Sequence, residues 1–225
     1  MANIYTIQKR SNLLNKFSAT TIIIATNIIC FIVFFAAIII NKNAPESIYN
    51  YGAIMPANIL AGKYLWTFIT SMFLHAGFFH LFANMLSLFF IGTLVEKILG
   101  KKRFFWFYII SGLLASLLFV LLALIFKMDL NTYAVGASGA LFALIGFLML
   151  ITPNLPVYIM FIPIPIKMKY AAPGILIVLW LISIAGDIPI GNTAHLGGLL
   201  AGLAYGVYIK KKYKNKTRMI SKHFS

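Results

Sequence analysis

The chain has 225 residues, a net charge of +15 and a mean hydropathy of +0.93, with 61% of its residues hydrophobic and only 10% charged. A soluble domain of this size could not hide that much apolar surface, because large contiguous apolar patches are rare on monomers. The composition therefore excludes a soluble protein and calls for a polytopic membrane protein. The basic excess does not point to nucleic acid: Lys and Arg gather beside apolar runs, and no basic-and-aromatic groove pattern stands outside them.

Residues 1–19 are polar and mildly basic, a candidate cytoplasmic N-terminal segment. Thr20 to Ile40 then runs without a charge, which suits one crossing of roughly 20 apolar residues. The run exceeds the apolar core of a signal peptide and predicts a retained signal anchor. It contains the only cysteine, Cys30, so an intrachain disulfide is impossible and the thiol reads as a small hydrophobe. Asn41 to Lys63 is a loop punctuated by Pro45, Gly52, Pro56 and Gly62. Leu65 to Val95 lacks Lys, Arg, Asp and Glu but is too long for one span. We divide it into a partly embedded loop, Leu65 to Phe79, and a second helix, His80 to Leu99.

Phe104 to Phe126 predicts the third crossing, and a fourth helix starts near Ser138 and ends by Pro153. Four prolines make Pro153 to Lys169 broken or non-helical, since proline lacks the amide donor and clashes with the preceding turn. Tyr170 to Gly186 and Thr193 to Ile209 complete the predicted spans, joined by a tight loop, Asp187 to Asn192. With the N-terminus inside, only Lys42, Lys63 and Lys127 of the nineteen basic residues fall on the far side. This asymmetry predicts an all-α, six-helix membrane domain over residues 20–209, both termini cytoplasmic, with residues 210–225 as a basic cytoplasmic tail.

Polar groups inside spans are costly and call for a reason. Ser138, in Gly136-Ala137-Ser138-Gly139, opens an apolar helix. Such a serine can cap the helix or ease packing, the reading we give Ser87, Ser111, Ser116 and Ser183. It can also be a nucleophile. His195 supplies the possible base. Gly198, Gly202 and Gly206 repeat every four residues beyond it, and Gly139, Ala143 and Gly146 form a matching stripe beyond Ser138. Small residues let helices approach closely, which would bring hydroxyl and imidazole to one depth, as nucleophilic catalysis requires. The bland alternative is a packed histidine bonded to a carbonyl. His80 and Asn84 are four apart, hence on one helix face, and both can donate to a developing oxyanion. A zinc site on His75, His80 and His195 lacks the carboxylate or His-Glu-x-x-His pattern of hydrolytic zinc enzymes. Asp129 and Asp187 lie in loops, which counts against aspartyl chemistry. No cofactor is expected.

Together, His75-x4-His80-x3-Asn84, Gly136-x-Ser138-Gly139 and Ala194-His195-x2-Gly198 resemble the rhomboid intramembrane serine proteases. The resemblance runs from about Phe17 to Tyr208 and includes Glu96-x3-Gly100. It implies that Ser138 attacks a peptide carbonyl, that His195 moves the proton, and that His80, Asn84 and the Ser138 amide hold the oxyanion, with no acidic third member. His75 would pin its loop. The implied substrates are transmembrane proteins, cut in or near a membrane helix at a site open to the non-cytoplasmic side of the cell membrane. They would enter sideways past the fifth helix near Trp180, beneath a cap formed by Asp187 to Asn192. Two positions depart from the pattern. Trp66-Thr67 replaces Trp-Arg, which puts that arginine's anchoring in doubt, and Phe142 replaces a tyrosine, so it can stack on His195 without donating. The alternatives are a non-catalytic relative that binds membrane helices, and a channel, for which the cytoplasmic halves are too apolar.

Overall fold

The computed structural model describes residues 17–41, 44–159, 163–186 and 190–224. Asp187 and the first residues of the tight loop after Gly186 lie outside them.

Helix α1 is Ala19–Ile40. Its start is held from another element: Glu96 accepts hydrogen bonds from the Ala19 and Thr20 amides, each at 2.8 Å, and from the Thr20 hydroxyl at 2.6 Å. The carboxylate satisfies amides that a helix leaves without partners and faces the positive end of its dipole. Ser18 completes the cap by accepting from the Thr21 amide.

The expected loop after α1 contains two short helices, α2 (Ala44–Gly52) and α3 (Pro56–Leu60). The embedded segment that follows is a turn of helix, α4 (Thr67–Thr70), continued as a 3-10 turn, Ser71–Phe73. Its anchors are local. The Trp66 indole donates to the Tyr51 carbonyl at 2.8 Å, the Thr70 hydroxyl to the Gly52 carbonyl at 2.8 Å, and the buried Thr67 hydroxyl to the Tyr64 carbonyl at 2.7 Å. Thr67 thus ties its own turn, where an arginine was the expected anchor.

Helix α5, Phe78–Leu99, begins two residues before the expected span and widens into a π-helical turn over Leu88–Gly92. Helix α6, Lys101–Phe126, starts three residues early because its basic residues extend the helix beyond its apolar body, where long cationic side chains reach polar surroundings. Helix α7 is Ser138–Ile151. The proline-rich stretch forms a two-stranded antiparallel hairpin, β1 (Pro156–Val157) with β2 (Ile166–Lys167). Helix α8 is Met168–Gly186 and tolerates Pro173 in its second turn. Helix α9, Asn192–Lys212, runs past the predicted Ile209. The basic tail carries a further helix, α10 (Lys214–His223), docked on the bundle through Thr217 and Ile220.

Among the described residues, α1, α5, α6 and α8 are long and apolar enough to cross a membrane. Helix α7 is shorter, at 14 residues. It is also the most enclosed element: Ala140 to Leu144 and Gly146 to Leu148 are buried. The core is built around it from α5, α6 and α9, with Phe104, Tyr108, Leu144, Phe147 and Leu148 among its fully covered side chains.

Candidate active site

The two small-residue stripes do pack together. A Cβ built on Gly198 would overlap the carbonyl of Gly139, one on Gly202 that of Ala143, and one on Gly146 would lie 2.5 Å from the Leu199 carbonyl. Backbone thus meets backbone along α7 and α9, which only glycine allows. A third helix shares the contact. Ala115 of α6 faces both Gly139 and Gly197, and a Cβ on Gly197 would sit 3.1 Å from the Ala115 Cα. The sequence reading missed Ala115 and Gly197. Each has a small residue four positions away, Ser111 for Ala115 and Ala201 for Gly197, but such single pairs on separate helices do not say which helix they face.

This packing sets the two helix starts side by side. Ser138 Oγ and His195 Nε2 are 2.8 Å apart. Among the described residues no partner reaches the buried Nδ1 of His195. The Phe142 ring stacks on the imidazole, with centroids 4.6 Å apart and planes 19° apart. His195 itself is only 7% exposed, so the ring is clamped between Phe142 and the serine.

The turn before Ser138 brings in the other two candidates. Gly136 has φ +118°, where side chains are strained, and a Cβ there would lie 2.8 Å from His80 Nε2 and 3.8 Å from Asn84 Nδ2. Glycine therefore serves twice, permitting the turn and making room for the imidazole. The turn is held by the Gly136 amide donating to the Ser71 carbonyl at 2.8 Å. The Ala76 amide approaches His80 Nδ1 at 3.4 Å, leaving Nε2, the nitrogen beside the serine turn, to carry the proton. Asn84 spends one amide hydrogen on the His80 carbonyl at 2.9 Å and keeps the other. His75 is buried, its ring edge-on to His80 at 5.1 Å. It thus backs the donor.

All four sequence-predicted site residues, Ser138, His195, His80 and Asn84, therefore gather around the Gly136–Gly139 backbone. The Ser138 amide joins them, because a first-turn amide has no intrahelical acceptor. Ser111, by contrast, bonds back to the Phe107 carbonyl at 2.6 Å, as a packing serine does.

Fold and site together define a class: a multi-pass helical membrane protein with a serine hydroxyl against an imidazole where two glycine-packed helices begin. The model of the Rhomboid domain family matches residues 62–212, and the chain belongs to that family. RHOMBOID-like protein 1 of Arabidopsis thaliana is 38% identical over 159 residues, 69% of this chain and 37% of its own length. Rhomboid-like protease 1 of Toxoplasma gondii is 27% identical over 205 residues, 89% of this chain and 67% of its own. Inactive RHOMBOID-like protein 8 of Arabidopsis thaliana is 32% identical over 140 residues, 61% of this chain and 36% of its own. The chain spans between a third and a half of the length of the first curated relatives it matches. Membership supports intramembrane proteolysis as the family's general activity, while an inactive relative shows that membership and catalysis are separable.

Proposed function

We propose that the protein is an intramembrane serine endopeptidase that hydrolyses a peptide bond in or near a transmembrane helix of a membrane-protein substrate. The reading rests on the 2.8 Å contact between Ser138 Oγ and His195 Nε2. His195 Nε2 takes the hydroxyl proton as Ser138 Oγ bonds to the carbonyl carbon. The oxyanion is met by His80 Nε2–H, the spare hydrogen of Asn84 and the Ser138 amide, at the positive end of α7. The same imidazole then protonates the departing amine, an acyl-enzyme remains, and water releases it by the reverse sequence.

In this reading the chain crosses the membrane six times, with α7 and α9 supplying the two spans beyond α1, α5, α6 and α8. Both termini are cytoplasmic, following the basic residues. A 14-residue α7 is about 21 Å long at 1.5 Å per residue, short of a hydrocarbon layer of about 30 Å. Ser138 therefore sits below the non-cytoplasmic surface of the cell membrane, at a depth that fits a bond near the outer end of a substrate helix. Such a bond is shielded by its own helical hydrogen bonds, so the segment unwinds first, most readily near glycine or proline.

Ser138→Ala, reconstituted with a reporter transmembrane substrate, should abolish cleavage while leaving folding and insertion intact. His195→Ala should do the same, and a fluorophosphonate should label only the unsubstituted protein. Cleavage that survives Ser138→Ala removes the serine from the mechanism. A chain that binds the reporter and never cuts it belongs with the inactive relatives.

A further inference from the structure

The end of the bundle away from Ser138 carries a helix that catalysis does not use. Alone, the ten residues of α10, Lys214–His223, would be a marginal helix, because one so short cannot offset the cost of nucleation. They are helical because one stripe docks. Tyr213, Thr217, Ile220 and Phe224 follow at spacings of four, three and four, so they share a face. Thr217 is buried, and Tyr213 and Ile220 pack on the main core.

The rest of the helix points away from the bundle. Lys214, Lys216, Arg218 and Lys222 are exposed, and so is Met219, at 74%. At about 3.6 residues per turn, Lys214 and Lys216 flank the docked stripe on opposite sides, with Arg218 and Lys222 further round. The last turn of α9, just before, adds Lys210, Lys211 and Lys212.

Neighbouring rings fix the level of this face relative to the bilayer. Helix α6 is long and apolar enough to cross a membrane, and its apolar body begins at Phe104. The residue before, Arg103, lies over the Tyr213 ring, 5.6 Å from its centroid. Lys212 lies over the same ring at 5.8 Å and donates to the Tyr208 hydroxyl at 2.8 Å. Tyrosines with long cationic side chains beside them mark the boundary between hydrocarbon and headgroups. Helix α9 breaks at Tyr213, with φ −125° and ψ 45°. Helix α10 therefore starts at headgroup level, and its docked stripe keeps it against the end of the bundle. An interfacial helix usually spends its apolar face on acyl chains. Helix α10 spends it on protein, and what it offers the bilayer is charge.

We propose that α10 is a docking surface for anionic phospholipid headgroups, held by Lys214, Lys216, Arg218 and Lys222. Three observations favour headgroups over a soluble polyanion such as RNA: the start at headgroup level, cations on both flanks of the docked stripe, and apolar Met219 exposed among them. The attraction is electrostatic, so salt weakens it. The inference needs only that the chain is a multi-pass membrane protein. It is tested in the Ser138→Ala background, where proteolysis plays no part.

The full chain is placed in bilayer nanodiscs of phosphatidylglycerol and phosphatidylcholine in equal amounts. In separate samples one lipid or the other carries a headgroup diazirine, and labelling of the α10 peptides after illumination is read by mass spectrometry. Phosphatidylglycerol should label α10 about ten-fold more than phosphatidylcholine. A basic residue near an anionic surface is worth about five-fold, so Lys216→Gln/Lys222→Gln should cut that preference to about two-fold or less. Salt near 1 M, where screening acts within about 3 Å, should cut it as well. Lys63→Gln/Lys127→Gln, an equal charge change on the far side of the chain, should leave it intact. Hydrogen exchange of the α10 amides reports whether the helix stays docked in each variant. If the double variant undocks it, Arg218→Gln, at an exposed position, carries the test with a smaller drop. Equal labelling by the two lipids, or a preference unchanged in docked α10 variants, would overturn the proposal. So would a face that prefers neither lipid and binds an RNA oligonucleotide.

Discussion

Helices α7 and α8 are neighbours with opposite construction. Helix α7 is enclosed along most of its length and meets α9 backbone to backbone. Helix α8 buries only Met168, Ala171, Ala172 and Leu176, all in its first half, and from Ile177 to Gly186 every side chain is exposed or half-buried. That loose half lies toward the Ser138 end, where Leu179 packs on the cluster that holds Phe142. The site thus has one wall in backbone-to-backbone contact and one held by few buried side chains. Reacting groups must be placed accurately, because small misplacements cost large rate factors. A substrate helix needs an opening, and weakly packed elements are the ones that move. In the proposed reading the tight pair aligns the chemistry, and the α8 side, with half-exposed Trp180, admits the substrate.

The sharpest way to break this contrast is Gly198→Val. The new Cβ would meet the Gly139 carbonyl, which is backbone and cannot swing aside. The helices must separate, at a cost of about 1–3 kcal/mol for overpacking, and cleavage should fall by about 100-fold or more as Ser138 and His195 part. Gly202→Val makes the same clash one turn deeper and should cost similar stability; turnover and thermal melts of both variants check this. Normal turnover in folded Gly198→Val would mean the close approach is not what aligns the pair.

Next in size, His80→Ala should lower kcat by about 100- to 1,000-fold, the usual loss for one oxyanion donor, with a small change in melting temperature. An equal loss in both would make His80 a packing residue. Glu96→Ala reverses the pattern. It strips three hydrogen bonds from the start of α1 at the end of the bundle away from Ser138, and should cost about 1–3 kcal/mol while specific activity per folded molecule holds. Phe142→Ala removes the ring stacked on His195; the stack is worth about 0.5–1.5 kcal/mol, so kcat should drop several-fold, and Phe142→Leu should recover part of it. Smallest of all, Leu181→Ala on the exposed half of α8 should shift stability by less than about 0.5 kcal/mol. A large loss there would place α8 among the firmly packed helices.

Much of this was legible in the chain. Apolar runs bounded by charges located every long helix to within a few residues, because an uncharged run of that length has no other stable home. Helix ends drifted at the basic edges: α6 began at Lys101 and α9 ran to Lys212, since lysine favours helix and the apolar run marks only the part that must avoid water. The helices hidden after α1, and α10 in the tail, were missed because short polar helices are stabilised by what they dock on. Ile220 carries no docking signal in a stretch of lysines, and only the folded bundle gives it the core it packs against.

For the site, residue types and four-residue spacings already nominated Ser138, His195, His80 and Asn84, because few polar groups occur in such apolar surroundings and the glycine period has one obvious use. Spacing is a property of one helix at a time. That the stripes of α7 and α9 face each other, that Ala115 of α6 closes the third side, and that the turn at Gly136 lies against His80 are relations between distant segments. They follow from which surfaces fill one another's gaps, and only the folded bundle decides that.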